Sequence, residues 1–267
     1  MREYYENKVA AVTGGGSGIG LALCEMMLSF GAKAVVLADI NEAALARETA
    51  RLDEKYPGRV FAVKTDVATQ ESVGAMVNQA AEVGSGRLDL LFNNAGLGLS
   101  GAFDDASDAD WKRAFDINFY GAVYGIRAAL PIMRAQGGGQ IANTASGIAY
   151  VSMPYQSMYS ATKSALLGLT TSLRYELWDE NIRLSTIIPG TVATPIWGGG
   201  PIPDFAITPE ESARGILNGL AVNQRVIFVT DMDREGAVNA TDPRAAEGID
   251  KYLLDVARKR RAGTGLF

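Results

Sequence analysis

The stretch Lys8-Val-Ala-Ala-Val-Thr-Gly-Gly-Gly-Ser-Gly-Ile-Gly20 decides the fold. Its apolar first half, residues 8–13, is typical of a buried strand, and the apolar pattern over residues 18–30 predicts a helix. The glycines between them let the chain turn tightly and bring backbone N–H groups towards an anion at the positive end of the helix. The stretch therefore predicts a strand, a phosphate-binding turn and a helix. A glycine-rich turn without a ligand is the alternative that the glycines alone leave open.

The same alternation continues along the whole chain. Further strands are predicted over residues 34–38, 60–64, 88–92, 140–144, 183–188 and 226–229, and further helices over residues 42–55, 71–83, 108–135, 156–179, 210–220 and 243–261. Pro131 is expected to end or kink its helix, because proline lacks a backbone donor. Strands that alternate with helices pair in parallel. We therefore predict an α/β fold, a doubly wound parallel sheet of about seven strands with helices on both faces, and no composition break marks a second domain.

Composition excludes several classes of function. The 267 residues carry a net charge of −5, which does not favour nucleic-acid binding, and the one basic run, residues 258–261, is interpreted as a solvated helix end. With no histidine and one cysteine, the chain cannot build a Ser-His-Asp triad, a Cys/His zinc site or an intrachain disulfide. A carboxylate site for Mg²⁺ or Ca²⁺ stays open, although we expect no metal. Neither a signal core nor a membrane span is evident, so we expect a cytoplasmic protein with a small-molecule substrate and no nucleic-acid or membrane partner.

Asp39 indicates which dinucleotide the turn would hold. It ends the second predicted strand, 19 residues after Gly20, where a carboxylate can accept hydrogen bonds from the adenosine ribose. The same carboxylate would repel a 2′-phosphate, and residues 14–20 contain no Lys or Arg to offset it. NAD is therefore predicted over NADP, although Asp39 could instead be a turn residue before Asn41. A Walker A loop is excluded because Leu21, not lysine, follows Gly20.

Several further motifs follow in a specific order. They are Thr13-Gly-x-x-x-Gly-x-Gly20, Asn93-Asn-Ala-Gly96, Asn118, Ser146, Tyr159-x-x-x-Lys163 and Pro189-Gly190 with Thr194. The ordered set resembles the short-chain dehydrogenase/reductase family, in its compact single-domain branch, over essentially the whole chain. The resemblance implies a Rossmann-type fold with one dinucleotide-binding and catalytic domain over residues 1–267.

The resemblance also assigns residues to roles. It implies hydride transfer between a carbinol carbon and a nicotinamide, with catalytic residues Asn118, Ser146, Tyr159 and Lys163. The implied cofactor-binding residues are Gly14, Ser17, Gly18, Ile19, Gly20, Asp39, Asp66, Val67, Asn93, Ala95, Gly96, Tyr159, Lys163, Pro189, Gly190, Val192 and Thr194.

The chemistry of Tyr159 and Lys163 can also be considered on its own. Residues four apart share a helix face, so an ammonium there can stabilise a phenolate. Work near neutrality needs the tyrosine pKa to fall from about 10 by roughly 3 units, which we expect Lys163 and the positive nicotinamide ring to supply together. By resemblance, Tyr159 is the general acid/base and Ser146 holds the substrate oxygen. Asn118 would lie at a helix distortion whose carbonyl holds a water beside Lys163.

The substrate is indicated only by the residues beside these motifs. The candidates are mostly apolar, namely Leu97, Ile148, Met153, Tyr155, Ile196 and Trp197. No Lys or Arg is placed to hold a carboxylate or phosphate, so we favour an uncharged, moderately apolar secondary alcohol or ketone as substrate. The alternative is that these residues do not line a substrate pocket and only pack beneath the loop. By resemblance, residues 194–208 occupy the place of the family's substrate-binding loop. Glycines 198–200 could act as a hinge and Trp197 as a lid, or the segment could be a disordered surface loop.

Two other functions stay open, and so does the oligomeric state. The chain could be a nucleotide-binding regulatory protein without catalysis, or an epimerase or dehydratase that recycles the same cofactor. The resemblance implies a homotetramer or homodimer through the helix of Tyr159 and the long helix before it. Leu166, Leu169 and Leu173 lie on that helix, although a buried core would explain them equally well.

Overall fold

The structure, a computed structural model, describes residues 1–264. Within that range seven strands form, namely β1 (Val9–Thr13), β2 (Ala34–Asp39), β3 (Val60–Lys64), β4 (Leu90–Asn93), β5 (Gly139–Thr144), β6 (Ile182–Ile188) and β7 (Val226–Phe228). All neighbouring strands pair in parallel, in the order β3-β2-β1-β4-β5-β6-β7. The predicted fold class, a seven-stranded doubly wound sheet, is confirmed.

Helices connect the strands. In chain order they are α1 (Arg2–Tyr5), α2 (Gly18–Ser29), α3 (Glu42–Lys55), α4 (Gln70–Val83), α5 (Asp108–Phe115), α6 (Gly121–Ala135), α7 (Ser157–Glu176), α8 (Pro209–Ala221), α9 (Asp231–Asn239) and α10 (Ala246–Arg261). The sequence did not predict α1 or α9. Short 3-10 turns occupy Phe103–Asp105, Gly147–Ala149, Trp178–Glu180, Pro195–Trp197 and Pro243–Ala245.

The core forms one layer on each face of the sheet. Ala10 and Val12 of β1 pack with α2, α3 and α8 on one face, whereas Val9 and Ala11 pack with α4, α6 and α7 on the other. Successive strand residues point to opposite faces, so a strand that is covered on both sides is apolar at every position. This double burial explains the continuous apolar runs that predicted the strands.

Two predicted helices differ in detail from those observed. The run over residues 108–135 is divided by a π-helical turn, Asp116–Tyr120, between α5 and α6. Pro131 does not end α6, which continues to Ala135; one reason is that Met133, beyond the proline, is fully buried in the core. The helix predicted over residues 156–179 ends at Glu176 and is followed by a 3-10 turn.

The strand order fixes where a ligand can bind. The chain starts at β1 in the middle of the sheet, moves outwards to β3, and then crosses back to β4 on the other side of β1. The loops that follow β1 and β4 therefore diverge and leave a crevice at the carboxyl ends of these strands, which is where open α/β sheets bind their ligands.

Candidate active site

The glycine-rich turn after β1 has a shape that only glycine permits. Gly14 and Gly18 have φ values of 68° and 51°, and a methyl group at Gly20 would overlap the carbonyl oxygen of Gly14. The Ser17 side chain does not cap α2, and the first turn of α2 has no acidic residue. The first backbone N–H groups of α2 therefore face the crevice without a competing side-chain acceptor, which fits the phosphates of a dinucleotide.

Asp39, at the end of β2, is fixed above this turn. Its Oδ2 accepts a hydrogen bond from the Gly16 N–H at 3.0 Å, and its Oδ1 accepts one from the Asn41 N–H at 3.0 Å. Asn41 in turn caps α3 through the Ala44 N–H. Asp39 thus has the turn role that the sequence left open, and it also places a negative charge beside the glycine turn. The next residue, Ile40, is exposed.

The loop after β4 is bonded directly to β1. Thr13 Oγ1 accepts hydrogen bonds from the Asn94 and Ala95 N–H groups at 2.9 and 3.0 Å, and Asn94 Nδ2 donates to the Thr13 carbonyl at 3.0 Å. Asn94 therefore joins the two sides of the crevice, although our candidate set omitted it from within the motif. Asn93 is buried instead, and its Nδ2 donates to Asn143 Oδ1 at 2.8 Å, which is a packing contact within the sheet.

Asn118 lies in the middle of the π-helical turn and is almost fully buried. Its Oδ1 accepts a hydrogen bond from the Leu97 N–H at 2.8 Å, and its Nδ2 donates to the Leu97 carbonyl at 3.1 Å and to Thr162 Oγ1 at 3.3 Å. The helix distortion that the resemblance implied is therefore present. A cavity of about one water molecule is lined by Thr13, Asn93 and Asn118; the water beside Lys163 stays a prediction.

Tyr159 and Lys163 lie near the start of α7, against the carboxyl end of β5. Lys163 is buried, and its Nζ donates to the Thr144 carbonyl at 2.8 Å and lies 5.6 Å from the centroid of the Tyr159 ring. The Ser146 side chain, which follows β5, lies close enough to the Tyr159 hydroxyl to lower its pKa. A methyl group at Gly96 would lie 3.4 Å from Lys163 Nζ and 3.1 Å from Asn118 Oδ1. The four predicted catalytic residues are therefore brought together around one point.

Burial dominates the proton affinities of these side chains. It raises the pKa of Tyr159 above 10.0, while the nearby Ser146 side chain acts in the opposite direction. Burial also lowers the pKa of Lys163 to about 8, because it disfavours the charged ammonium. The expected fall in the Tyr159 pKa is thus not produced by Lys163 within the chain alone, and the second expected cation, the nicotinamide, would have to supply it.

The segments after β3 and β6 complete the rim of the crevice. Asp66 Oδ1 accepts a hydrogen bond from the Ala68 N–H at 3.0 Å, so this side chain shapes its own turn, and Val67 packs against Gly121. After β6, Gly190 has a φ of 87°, and Thr194 lies against Gly18 of the glycine turn. Thr194 is thus close enough to the turn to contact a ligand bound there.

The predicted substrate loop is closed at its base. Val192 pairs with Ile207 in an isolated bridge, and the Trp197 Nε1 donates to the Val192 carbonyl at 2.8 Å. Trp197 is therefore held to the base of its loop, and its action as a lid stays a prediction. Gly198 and Gly199 adopt left-handed φ values of 59° and 83°.

The six substrate candidates occupy different environments. The backbone of Leu97 is hydrogen-bonded to the Asn118 side chain, and Ile196 packs against Gly98, the residue after Leu97. Ile148 is buried, which favours the packing alternative for that residue. Tyr155 and Met153 lie on the segment that leads into α7, where the Tyr155 carbonyl accepts a hydrogen bond from the Gly101 N–H at 2.8 Å.

Sequence reasoning missed one acidic side chain beside Gly147, the residue after Ser146. Asp233, on α9, lies so close to Gly147 that a methyl group there would overlap its Oδ1. Its other oxygen accepts a hydrogen bond from Thr230 Oγ1 at 2.6 Å, and burial raises its pKa. Because the sequence did not predict α9, nothing local placed this carboxyl near the site. Within residues 1–264, no cluster of three or more potential metal ligands occurs and no helix is long and apolar enough to cross a bilayer.

Comparison with known proteins finds similarity along most of the chain. Residues 8–199 match the family described as short chain dehydrogenase. An uncharacterized oxidoreductase of Thermotoga maritima is 35% identical over 242 residues, which are 89% of this chain and 93% of that protein. A short chain dehydrogenase/reductase from Burkholderia phymatum, solved in complex with NAD, superposes with a TM-score of 0.81 at 30% identity and covers 88% of this chain and 93% of its own. L-Sorbose reductase from Gluconobacter frateurii, complexed with NADPH and L-sorbose, gives a TM-score of 0.77 at 32% identity, with 85% and 96% covered.

Proposed function

Because this chain belongs to the short-chain dehydrogenase family and is an oxidoreductase, we propose that it transfers hydride between NAD and an uncharged, moderately apolar secondary alcohol or ketone, with Tyr159 as general acid/base. The observation that carries the proposal is the convergence of three side chains. The Ser146 side chain lies near the Tyr159 hydroxyl, and Lys163 Nζ lies 5.6 Å from the Tyr159 ring centroid. A regulatory protein that only binds a nucleotide has no need of such a cluster.

Each side chain has a defined task in this proposal. The Ser146 side chain lies near the Tyr159 hydroxyl, so both can contact one substrate oxygen. In alcohol oxidation the Tyr159 oxygen takes the hydroxyl proton, and in ketone reduction it returns that proton. Lys163, with a pKa of about 8, can hold or release a proton at Nζ near neutrality. NAD, when bound, supplies the hydride acceptor.

The preference for NAD rests on the charge beside the glycine turn. The backbone of residues 14–20 and the uncapped start of α2 suit the pyrophosphate. Asp39, fixed by Gly16 and Asn41, suits the ribose hydroxyls and opposes a 2′-phosphate. Relatives differ in their nucleotide, since one was solved with NAD and another with NADPH. The preference for NAD is therefore argued from the residues of this chain.

The proposed substrate class is supported by the residues beside the site. Ile196 packs against Gly98, the residue after Leu97, and the segments 97–101 and 147–155 contain no Lys or Arg. A carboxylate or phosphate on the substrate would therefore lack its usual cationic partner. An uncharged alcohol or ketone avoids this cost.

The test is NADH formation, followed by absorbance, with NAD⁺ or NADP⁺ across cyclic, aromatic, steroidal and polyol secondary alcohols. Tyr159→Phe should lower turnover by at least about 100-fold while NADH still binds. The matched control is Tyr175→Phe, at an exposed position on the same helix, which should leave the rate unchanged. A Tyr159→Phe rate above about one tenth of wild type would rule out Tyr159 as the acid/base. Failure of every alcohol despite tight NADH binding would instead favour the regulatory or the cofactor-recycling alternative.

A further inference from the structure

One arginine of the C-terminal basic run does not behave as part of a solvated helix end. Arg258, Lys259 and Arg261 are exposed, as expected, and Lys259 pairs with Asp255. Arg260 is half-buried, and its Nη1 donates to the Pro154 carbonyl oxygen and, at 3.1 Å, to Gln156 Oε1. These contacts join α10 to a segment more than 100 residues earlier in the chain.

The segment that Arg260 contacts has an unusual backbone. Tyr155, between Pro154 and Gln156, has a φ of 62°, which is uncommon for a residue with a side chain. Its carbonyl accepts the hydrogen bond from the Gly101 N–H at 2.8 Å. The segment is therefore held on one side by the loop after β4 and on the other by Arg260. A backbone in a sparsely populated conformation persists only when its surroundings fix it.

The position of the segment gives these contacts a functional meaning. It carries two of the substrate candidates, Met153 and Tyr155, and it leads directly into α7, where Tyr159 follows in the first turn. No residue of α10 within the described chain is fully buried, so core packing does not dictate where Arg260 lies. Ordering a long arginine side chain costs conformational entropy, and the two hydrogen bonds offset that cost.

We propose that Arg260 is a positioning residue that clamps Pro154–Gln156 from the C-terminal helix and thereby fixes the wall of the substrate pocket formed by Met153 and Tyr155. Only the kinetic consequence of the clamp rests on the proposed function. With the wall loosened, the alcohol binds less well, while the chemistry at Tyr159 and the nucleotide site across the crevice are unaffected. The Michaelis constant for the alcohol therefore rises, and kcat and the affinity for NADH stay close to those of wild type.

Hydrogen–deuterium exchange on the full chain tests the clamp without any substrate. Arg260→Met keeps much of the side-chain bulk but removes the donors, and Arg258→Met is the matched control at an exposed position on the same helix. Loss of a hydrogen bond from a charged donor is expected to speed exchange of the Gly101 amide and of the amides of residues 153 and 155–160 by about tenfold. Arg260→Lys, which keeps charge and donors, should restore most of the protection. Gln156→Met, which removes one acceptor, should give a smaller increase.

Steady-state kinetics test the consequence. With the fastest alcohol of the panel as probe, Arg260→Met should raise KM by about tenfold and change kcat and the Kd for NADH by less than about twofold. The proposal is overturned if exchange in residues 153–160 matches wild type, or if amides of β1 accelerate equally, since that indicates global destabilisation. It is also overturned if the segment loosens but KM does not change. If no alcohol reacts even with wild type, the proposed function fails while the exchange data still decide whether the clamp exists.

Discussion

Exchange of the charge beside the glycine turn should reverse the choice of cofactor. The double substitution Asp39→Ala with Ile40→Arg removes the carboxylate at the end of β2 and adds a cation one residue later. Ile40 is 63% exposed, so an arginine fits there without disturbing the core. The hydrogen bonds of Asp39 to Gly16 and Asn41 are both to backbone groups at the rim, where water can replace the lost acceptor.

The size of the effect follows from simple electrostatics. Asp39 is half-buried at the rim of the crevice, so an effective dielectric constant of about 40 lies between the surface and bulk values. Two unit charges about 6 Å apart then interact by about 1.4 kcal/mol, and a phosphate carries nearly two charges. Removal of Asp39 should therefore relieve roughly 2–3 kcal/mol of repulsion, about 50-fold in discrimination, and the arginine should add about tenfold.

The assay is the ratio of kcat/KM for NADP⁺ to that for NAD⁺ with one alcohol. The double variant should raise this ratio by about 100- to 1000-fold, and Asp39→Asn alone should give part of the change. Glu42→Gln is the matched control, because it removes an exposed carboxylate three residues away that is already paired with Lys64. The reasoning is refuted if wild type already prefers NADP⁺, or if Glu42→Gln shifts the ratio as much as Asp39→Asn.

Two further predictions concern stability. The pKa of Lys163 is lowered from 10.5 to about 8 in the fold, so the unfolded chain binds more protons than the folded chain between these pH values. The free energy of unfolding should therefore rise with pH by about 3 kcal/mol across that window. Lys163→Met should remove this rise in denaturant titrations at pH 8 and pH 10.5, and a flat wild-type profile would contradict the account. Gly20→Ala should abolish NADH binding and lower the melting temperature, because its methyl would overlap the Gly14 carbonyl. Gly74→Ala, in open space on α4, is the control and should stabilise the fold by about 0.5–1 kcal/mol. Equal melting temperatures for the two variants would contradict the predicted overlap at Gly20.

The sequence predicted the regular elements well where local signals agreed. Helix α3 has the predicted bounds, Glu42–Lys55, because Asn41 caps it and its apolar positions follow the helical period. The strands that are buried on both faces were also predicted, because their apolar runs are continuous. The clustering of Asn118, Ser146, Tyr159 and Lys163 was also predicted, but only through resemblance, because nothing in residue spacing brings β5 and the π-helical turn together.

What the sequence could not predict depends on contacts between distant segments. Helix α9 reads Asp-Met-Asp-Arg-Glu-Gly-Ala-Val-Asn, with only Ala237 buried, so it has no apolar stripe to identify it. Its Asp233 therefore could not be placed beside Gly147. The contact of Arg260 with Pro154 likewise has no local signature. The rise that burial causes in the Tyr159 pKa likewise could not be predicted, because residue type and spacing do not reveal burial.

The π-helical turn Asp116–Tyr120 also sets the rotational phase of the helices on either side of it. A π turn accommodates one residue more than an α turn. Ala114 and Ile126, both buried, are 12 residues apart and would be about 120° out of phase on an uninterrupted α-helix, at about 100° per residue. With one residue absorbed by the turn, their offset falls to about 20°. The extra residue therefore lets Ala114 and Ile126 lie at nearly the same angle around the helix axis. Asn118, which lies between them in the sequence, bonds to the backbone of Leu97.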